Sequence, residues 1–478
     1  MRLVPHRASF VARLSALLSI VVCACAPLQA RADIGVVIAD PTNAGVSAYT
    51  HAGHAMVYLS NVCAESPIKA RLCEPGEQGS VVSIYPNFHE QKPYEWNILP
   101  LSLYLEGSAD PGDRLLYGSH ALKEALAQHV RLGFLSEVCA GACPPETRGY
   151  WRDLVAATIE RDVFIYAVKT THAQDEAAVK WVNAQPNVNH YNGMTRNCAM
   201  YVRSLVNSIF PHAVHRDYLN DLGMMSPKAA ARSFAHWAQK RPKLGFYCLH
   251  FAQKPGSVRR SGTASSGTEA AFHIKKYLIP AALIGDHEVA GSFFVAYFLT
   301  GRFNLFKESI SYATPSLTQL QAERRIESRD DDQEQLHATR EEIALQQADI
   351  TGTPQEWQDY RRHFAAISEA ADMDTEKDRA QMLKTLDQGV VSVDGDGNPW
   401  LTPQGSSQHV GVSSADVLAE GSDPELAFHL LAWRIGYDLQ AKPRMRPGIQ
   451  EFREDWTLFE EAFARWRPLE ARAELPPQ

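Results

Sequence analysis

The 478-residue chain has no excess of positive charge: 47 Lys and Arg stand against 55 Asp and Glu, for a net charge of −8. Nucleic-acid binding and docking on anionic lipid both draw on clustered Lys and Arg, so the composition gives no support for nucleic acid as a partner. Beyond the N-terminal stretch there is also no apolar run long enough to cross a bilayer. The two longest, 277–285 and 289–300, are interrupted by Asp286, His287 and Glu288. Joined as one span they would place two acids near the membrane centre, at about 2.5–3.5 kcal/mol each. They read as two packed helices, with a membrane-surface hairpin, and so peripheral membrane association, as the alternative. A G-x-S-x-G elbow, a P-loop and a dinucleotide fingerprint are all missing. Cys139 and Cys143 form a C-x-x-x-C without a second ligand pair nearby. Asp394, Asp396 and Asn398 resemble the opening of a calcium loop, but Pro399 and Gly405 stand where that loop needs Gly and Glu. A turn between strands at 390–393 and 400–402 explains them better. No cofactor and no metal are implied, and no internal repeat occurs.

What is present begins at the N-terminus. Arg2, Arg7 and Arg13 precede an apolar run over 14–28, and Ala30-Arg31-Ala32 offers a cleavage site before Asp33. That is the pattern of a secretory signal peptide over residues 1–32, and it predicts an exported, periplasmic or cell-envelope protein. Ala24-Cys25 resembles a lipobox, which gives a lipoprotein anchored through Cys25 as the alternative. Removing the signal takes away four arginines and no acids, moving the charge from −8 to −12.

Export changes how the cysteines read. Six of the eight lie beyond the signal, and in an oxidising compartment Cys63–Cys73 and Cys139–Cys143 are expected as short-range disulfides. Cys198 and Cys248 are left over, either paired with each other or free.

Strands are expected at 34–39, 54–59, 81–85 and 163–168, with helices at 117–131 and 173–184. Asn197 is a good N-cap for a following helix with Val202, Leu205, Val206 and Ile209 on one face, so Cys198 falls in its first turn. The Ser/Gly/Thr/Arg-rich stretch 254–270 reads as a flexible linker between a domain over 33–253 and a mainly helical one over 271–478. Residues 320–348 read as a solvated charged helix. Phe452, Trp456, Phe459, Phe463 and Trp466 recur at helical spacing, as an aromatic stripe for core packing.

A cysteine at a helix start and a histidine from a distant strand are the parts of a nucleophile–base pair. His54-Ala55-Met56-Val57-Tyr58-Leu59 and, 144 residues after His54, Asn197-Cys198 have the form H-x-x-x-Y-L and N-C. In that order they resemble the circularly permuted NlpC-like papain-fold proteins, which include the lecithin–retinol acyltransferase-like enzymes. The resemblance covers roughly residues 34–212. It implies an α+β fold, a small antiparallel sheet packed on helices, followed here by the helical C-terminal part. It further implies Cys198 as nucleophile, His54 as base and a third polar residue on the next strand, where Ser83 stands, with His89 beyond it. Asn197 and Tyr58 are expected beside the substrate. His51 is a second candidate base; as His-x-x-His with His54 it would not chelate, because residues i and i+3 of a strand point to opposite faces. The expected substrate is a cell-wall peptide amide or a lipid ester. The alternative is a non-catalytic envelope protein with a papain-like domain.

Overall fold

The computed structural model describes residues 32–42, 51–84, 94–139, 150–273, 302–305 and 351–473, apart from a few isolated positions. The signal segment, His89, the Cys139–Cys143 pairing, most of 277–300 and all of 320–348 lie outside the described residues or side chains.

The architecture is α+β. Six strands form one antiparallel sheet in the order β6-β5-β2-β1-β7-β8. They are β1 (Ala32–Ala39), β2 (His54–Leu59), β5 (Ser80–Ile84), β6 (Trp96–Pro100), β7 (Val163–Thr170) and β8 (Tyr247–Phe251). Val, Ile and aromatic residues fill the central strands, which suits a sheet buried on both sides. Gly35 in β1 has a packing reason: a Cβ there would lie 2.9 Å from the Tyr166 carbonyl oxygen of β7. The insert between β2 and β5 is a hairpin, β3 (Val62–Ser66) with β4 (Lys69–Leu72), tied by the expected Cys63–Cys73 disulfide.

Each face of the sheet carries its own apolar cluster. One is built on Ile34, Val36, Ile38, Ala55, Val57, Val82 and Phe164. It is covered by α3 (His172–Ala184), α4 (Cys198–Ile209) and α5 (Pro227–Gln239). The other is built on Val37, Met56, Tyr58, Val81, Leu99 and Ile165, under α1 (Leu101–Leu105) and α2 (His120–Leu132). That second cluster continues without a break into α6 (Pro354–Ala370), α7 (Thr375–Gln388), α8 (Pro424–Gln440) and α9 (Ile449–Ala473).

The two expected domains therefore share one core. Arg114 Nη2 donates to Asp455 at 2.6 Å, Leu116 N–H to the Val412 carbonyl at 3.0 Å, and the Tyr117 and Trp433 rings lie 5.5 Å apart. The aromatic stripe of α9 packs inward as expected, with Phe452 and Phe459 fully buried against Trp357, Tyr360, Phe364 and Phe428.

The stretch expected as a flexible linker is corrected by its bonding. Lys254 N–H donates to the Thr158 carbonyl at 2.7 Å and Ser265 N–H to the His51 carbonyl at 2.7 Å. Ala264 N–H donates to Asp40 at 2.8 Å. The Lys254 ammonium sits 3.1 Å from Glu106 and 3.6 Å from Glu451. Small polar residues look like a linker because they bring no apolar area to bury. Here their backbone groups and charged heads supply the contacts instead.

The strand pair β9 (Val390–Val393) and β10 (Pro399–Thr402) brackets the expected turn. Asp394 Oδ1 accepts from the backbone of Asp396 and of Asn398, both at 2.9 Å, and Gly397 takes φ +97°.

Candidate functional site

The helix start holding Cys198 forms as the sequence suggests. Asn197 is extended, and its Oδ1 accepts from Met200 N–H at 3.0 Å. Its Nδ2 donates to the carbonyls of Gly193 and Met225, both at 2.9 Å. Both ends of the amide are thus occupied by backbone, so Asn197 acts as a cap and brace rather than as the expected substrate contact. Cys198, the first residue of α4, packs in the same apolar cluster as Ala55 of β2, a strand in the middle of the sheet order. The thiol is buried; this pushes its pKa up to about 11, and the nearby backbone amides of Ala55, Ala199 and Cys198 only partly offset the shift. Cys198 and Cys248 are both free thiols, so the alternative in which they bridge each other is not the one adopted.

His54 opens β2, paired with Ala39 of β1. Its Nε2 lies 2.6 Å from Ser83 Oγ on the neighbouring strand β5, which brings together two of the three residues expected to act in catalysis. Side chains alternate along a strand, so His54, Met56 and Tyr58 share one face and Ala55, Val57 and Leu59 the other. Met56 and Tyr58 belong to the cluster of α1 and α2, whereas Ala55 and Val57 belong with Cys198 to the cluster of α4. The partners of His54 agree with its assignment to the first face. Burial, and then the Arg161 guanidinium, hold the imidazole down to about 3, and Arg161 also acts on Tyr104 of α1. Sulfur and imidazole therefore flank the same peptide, His54–Ala55, from opposite sides of the sheet. Tyr58 is 1% exposed, inside the core, and is no substrate contact in this state. His51, with φ +49°, lies beside Pro41 and Gly262 rather than in a strand.

Sequence reasoning missed the polar neighbours of the His54–Ser83 pair. Asn97 of β6 stands opposite Ser83 in register and is fully buried, and among the described residues neither end of its amide has a hydrogen-bond partner. Tyr104 Oη, also buried, has none among them either. Alternation along 96–100 could have put Asn97 on the Ser83 face, but only the cross-strand register makes them neighbours.

No family model and no curated protein matches this chain. Among solved structures, it is similar to the type VI secretion system effector TseH at 12% identity. The alignment covers 46% of this chain and 93% of that one, with a TM-score of 0.23. A superposition of that quality carries no argument for fold or chemistry. The site rests on its own geometry.

That geometry contains a free, buried thiol at a capped helix start and an imidazole held neutral by burial. A protonated thiol is a poor nucleophile, and a base must come within hydrogen-bond reach of it to help.

Proposed function

We propose that the chain is an exported, thiol-dependent acyl hydrolase or acyltransferase with a permuted papain-like N-terminal part. In this reading it acts on an amide or ester of the bacterial cell envelope. The observation that carries the reading is the free Cys198 thiol at the capped start of α4, packed in one cluster with Ala55, the residue that follows His54 in β2. Thiolate attack on an acyl carbon would form a thioester. The oxyanion formed on the way would be held by backbone N–H groups at the start of α4, and His54 would protonate the leaving group. Water or a second acceptor then takes the acyl group. Turnover requires the imidazole to leave Ser83 and reach the sulfur side of β2, so the described arrangement is the resting one.

A second reading, a non-catalytic envelope binding or scaffold protein, is favoured by one observation: His54 and Cys198 face opposite sides of the sheet, and burial keeps the thiol protonated. The decisive experiment incubates the protein with cell-wall peptides and phospholipids and looks by intact mass for an acyl adduct on Cys198. The proposal expects an adduct that Cys198→Ser and His54→Ala each abolish while the fold is kept. Absence of any adduct, with no iodoacetamide labelling of Cys198 below pH 8, would establish the second reading.

A further inference from the structure

Away from the sheet, α6, α7 and α8 enclose a cavity of about 220 Å³. Its wall is apolar where Phe364, Trp433 and Leu439 meet, and Gly436 of α8 leaves its floor open. A Cβ on Gly436 would already touch the Phe364 ring at 3.4 Å, so any longer side chain there would occupy the space.

The rim is polar and carries an excess of positive charge. Arg361 and Arg379 both line the cavity, against a single carboxylate, Asp378. Arg361 uses Nε and Nη2 on one acceptor, the Leu439 carbonyl, at 3.2 and 3.1 Å. Arg379 uses Nη1 on Gln440 Oε1. Each guanidinium keeps spare donors, and among the described residues neither has a carboxylate within ion-pair distance. Elsewhere the described arginines commonly do: Arg71, Arg114, Arg196, Arg232, Arg434 and Arg453 all pair.

We propose that this cavity binds a monocarboxylate with an apolar tail, its carboxylate shared between Arg361 and Arg379 and its tail against Phe364 and Trp433. A planar guanidinium matches a carboxylate through paired N–H donors, and an apolar wall with a few polar groups is the usual form of a small-molecule site. The volume is below the ~300–1,000 Å³ typical of such sites, so the occupant is a short or medium acyl chain rather than a whole lipid.

Calorimetric titration of the full chain with sodium decanoate, below its micellar concentration, tests this. The expected result is saturable one-to-one binding, at least tenfold tighter than 1-decanol. The double variant Arg361→Gln/Arg379→Gln, at rim positions, should keep its melting temperature and lose that tenfold advantage. Gly436→Leu should abolish binding if it folds; if it does not, the arginine variant decides alone. No saturable heat with decanoate, or equal affinity of the double variant, would overturn the proposal.

Discussion

The two faces of the six-stranded sheet are both buried, yet they are held differently. The face under α3, α4 and α5 is mainly apolar, with Cys198 buried over its central strands and Phe234 and Val202 fully buried. The opposite face is threaded with polar groups. His54 and Ser83 bond to each other, Asn97 and Tyr104 lie near them, and beyond α1 a buried ionic network ties the sheet to the C-terminal helices. In that network Arg434 reaches Asp438 at 2.8 Å and Glu451 at 3.2 Å, while Arg114 reaches Asp455 at 2.6 Å. Polar groups in such a setting restrict which partners can pack there, whereas an apolar face tolerates repacking.

The largest effect that would break this comparison comes from the network. Arg434→Ala should destabilise the fold by about 3–5 kcal/mol in urea unfolding, because it strands buried carboxylates. Phe234→Ala on the other face should cost a comparable ~3–5 kcal/mol through a cavity. The two should differ in pH response: acid should restore part of the loss in Arg434→Ala by neutralising the stranded carboxylates, and none of it in Phe234→Ala. Equal pH profiles would show that the faces do not differ in the way described.

A smaller effect belongs to His54. Its folded-state pKa lies below the ordinary value of 6.5, at about 3, so the unfolded chain binds the proton more tightly between those limits. Stability should therefore fall as pH drops from about 6.5 toward 3, and His54→Gln should flatten that slope in thermal melts. A slope unchanged by the substitution would remove His54 as its source.

Asp40 provides the opposite sign. Burial, and next the Asp162 carboxylate, raise it from 3.8 to about 8, so the native state holds the proton more tightly. Its contribution to stability should decline as pH rises from about 4 to 8. Asp40→Asn should be stabilising at pH 8, by about 1 kcal/mol or more, and nearly neutral at pH 4. Melting curves at the two pH values check this. The smallest effect expected is that of Cys198→Ala, a buried thiol lost from the apolar face, at about 1 kcal/mol. In the proposed reaction, the effect of that substitution falls on acyl-adduct formation rather than on stability.

Much of the site's framework was legible beforehand. The strands around residues 34–39, 54–59 and 163–168, the cap at Asn197 and the Cys63–Cys73 closure all follow from local signals: β-branched runs, an Asx cap, a short cysteine spacing. The hairpin strands β3 and β4 and the strands β6 and β8, short and only partly apolar, leave no clear signal in the sequence. The ordered bonding of 254–270 is not legible in composition, because backbone hydrogen bonding leaves no trace there.

What the sequence determined by itself was the parity of its elements. His54, Met56 and Tyr58 had to share one side of a strand, and Cys198 had to sit at the start of a capped helix. Which side of the sheet that helix covers was decided only by the tertiary packing. Strand alternation fixes sides relative to one another, whereas the choice between two apolar faces depends on how α4 and the C-terminal helices divide the buried area between them.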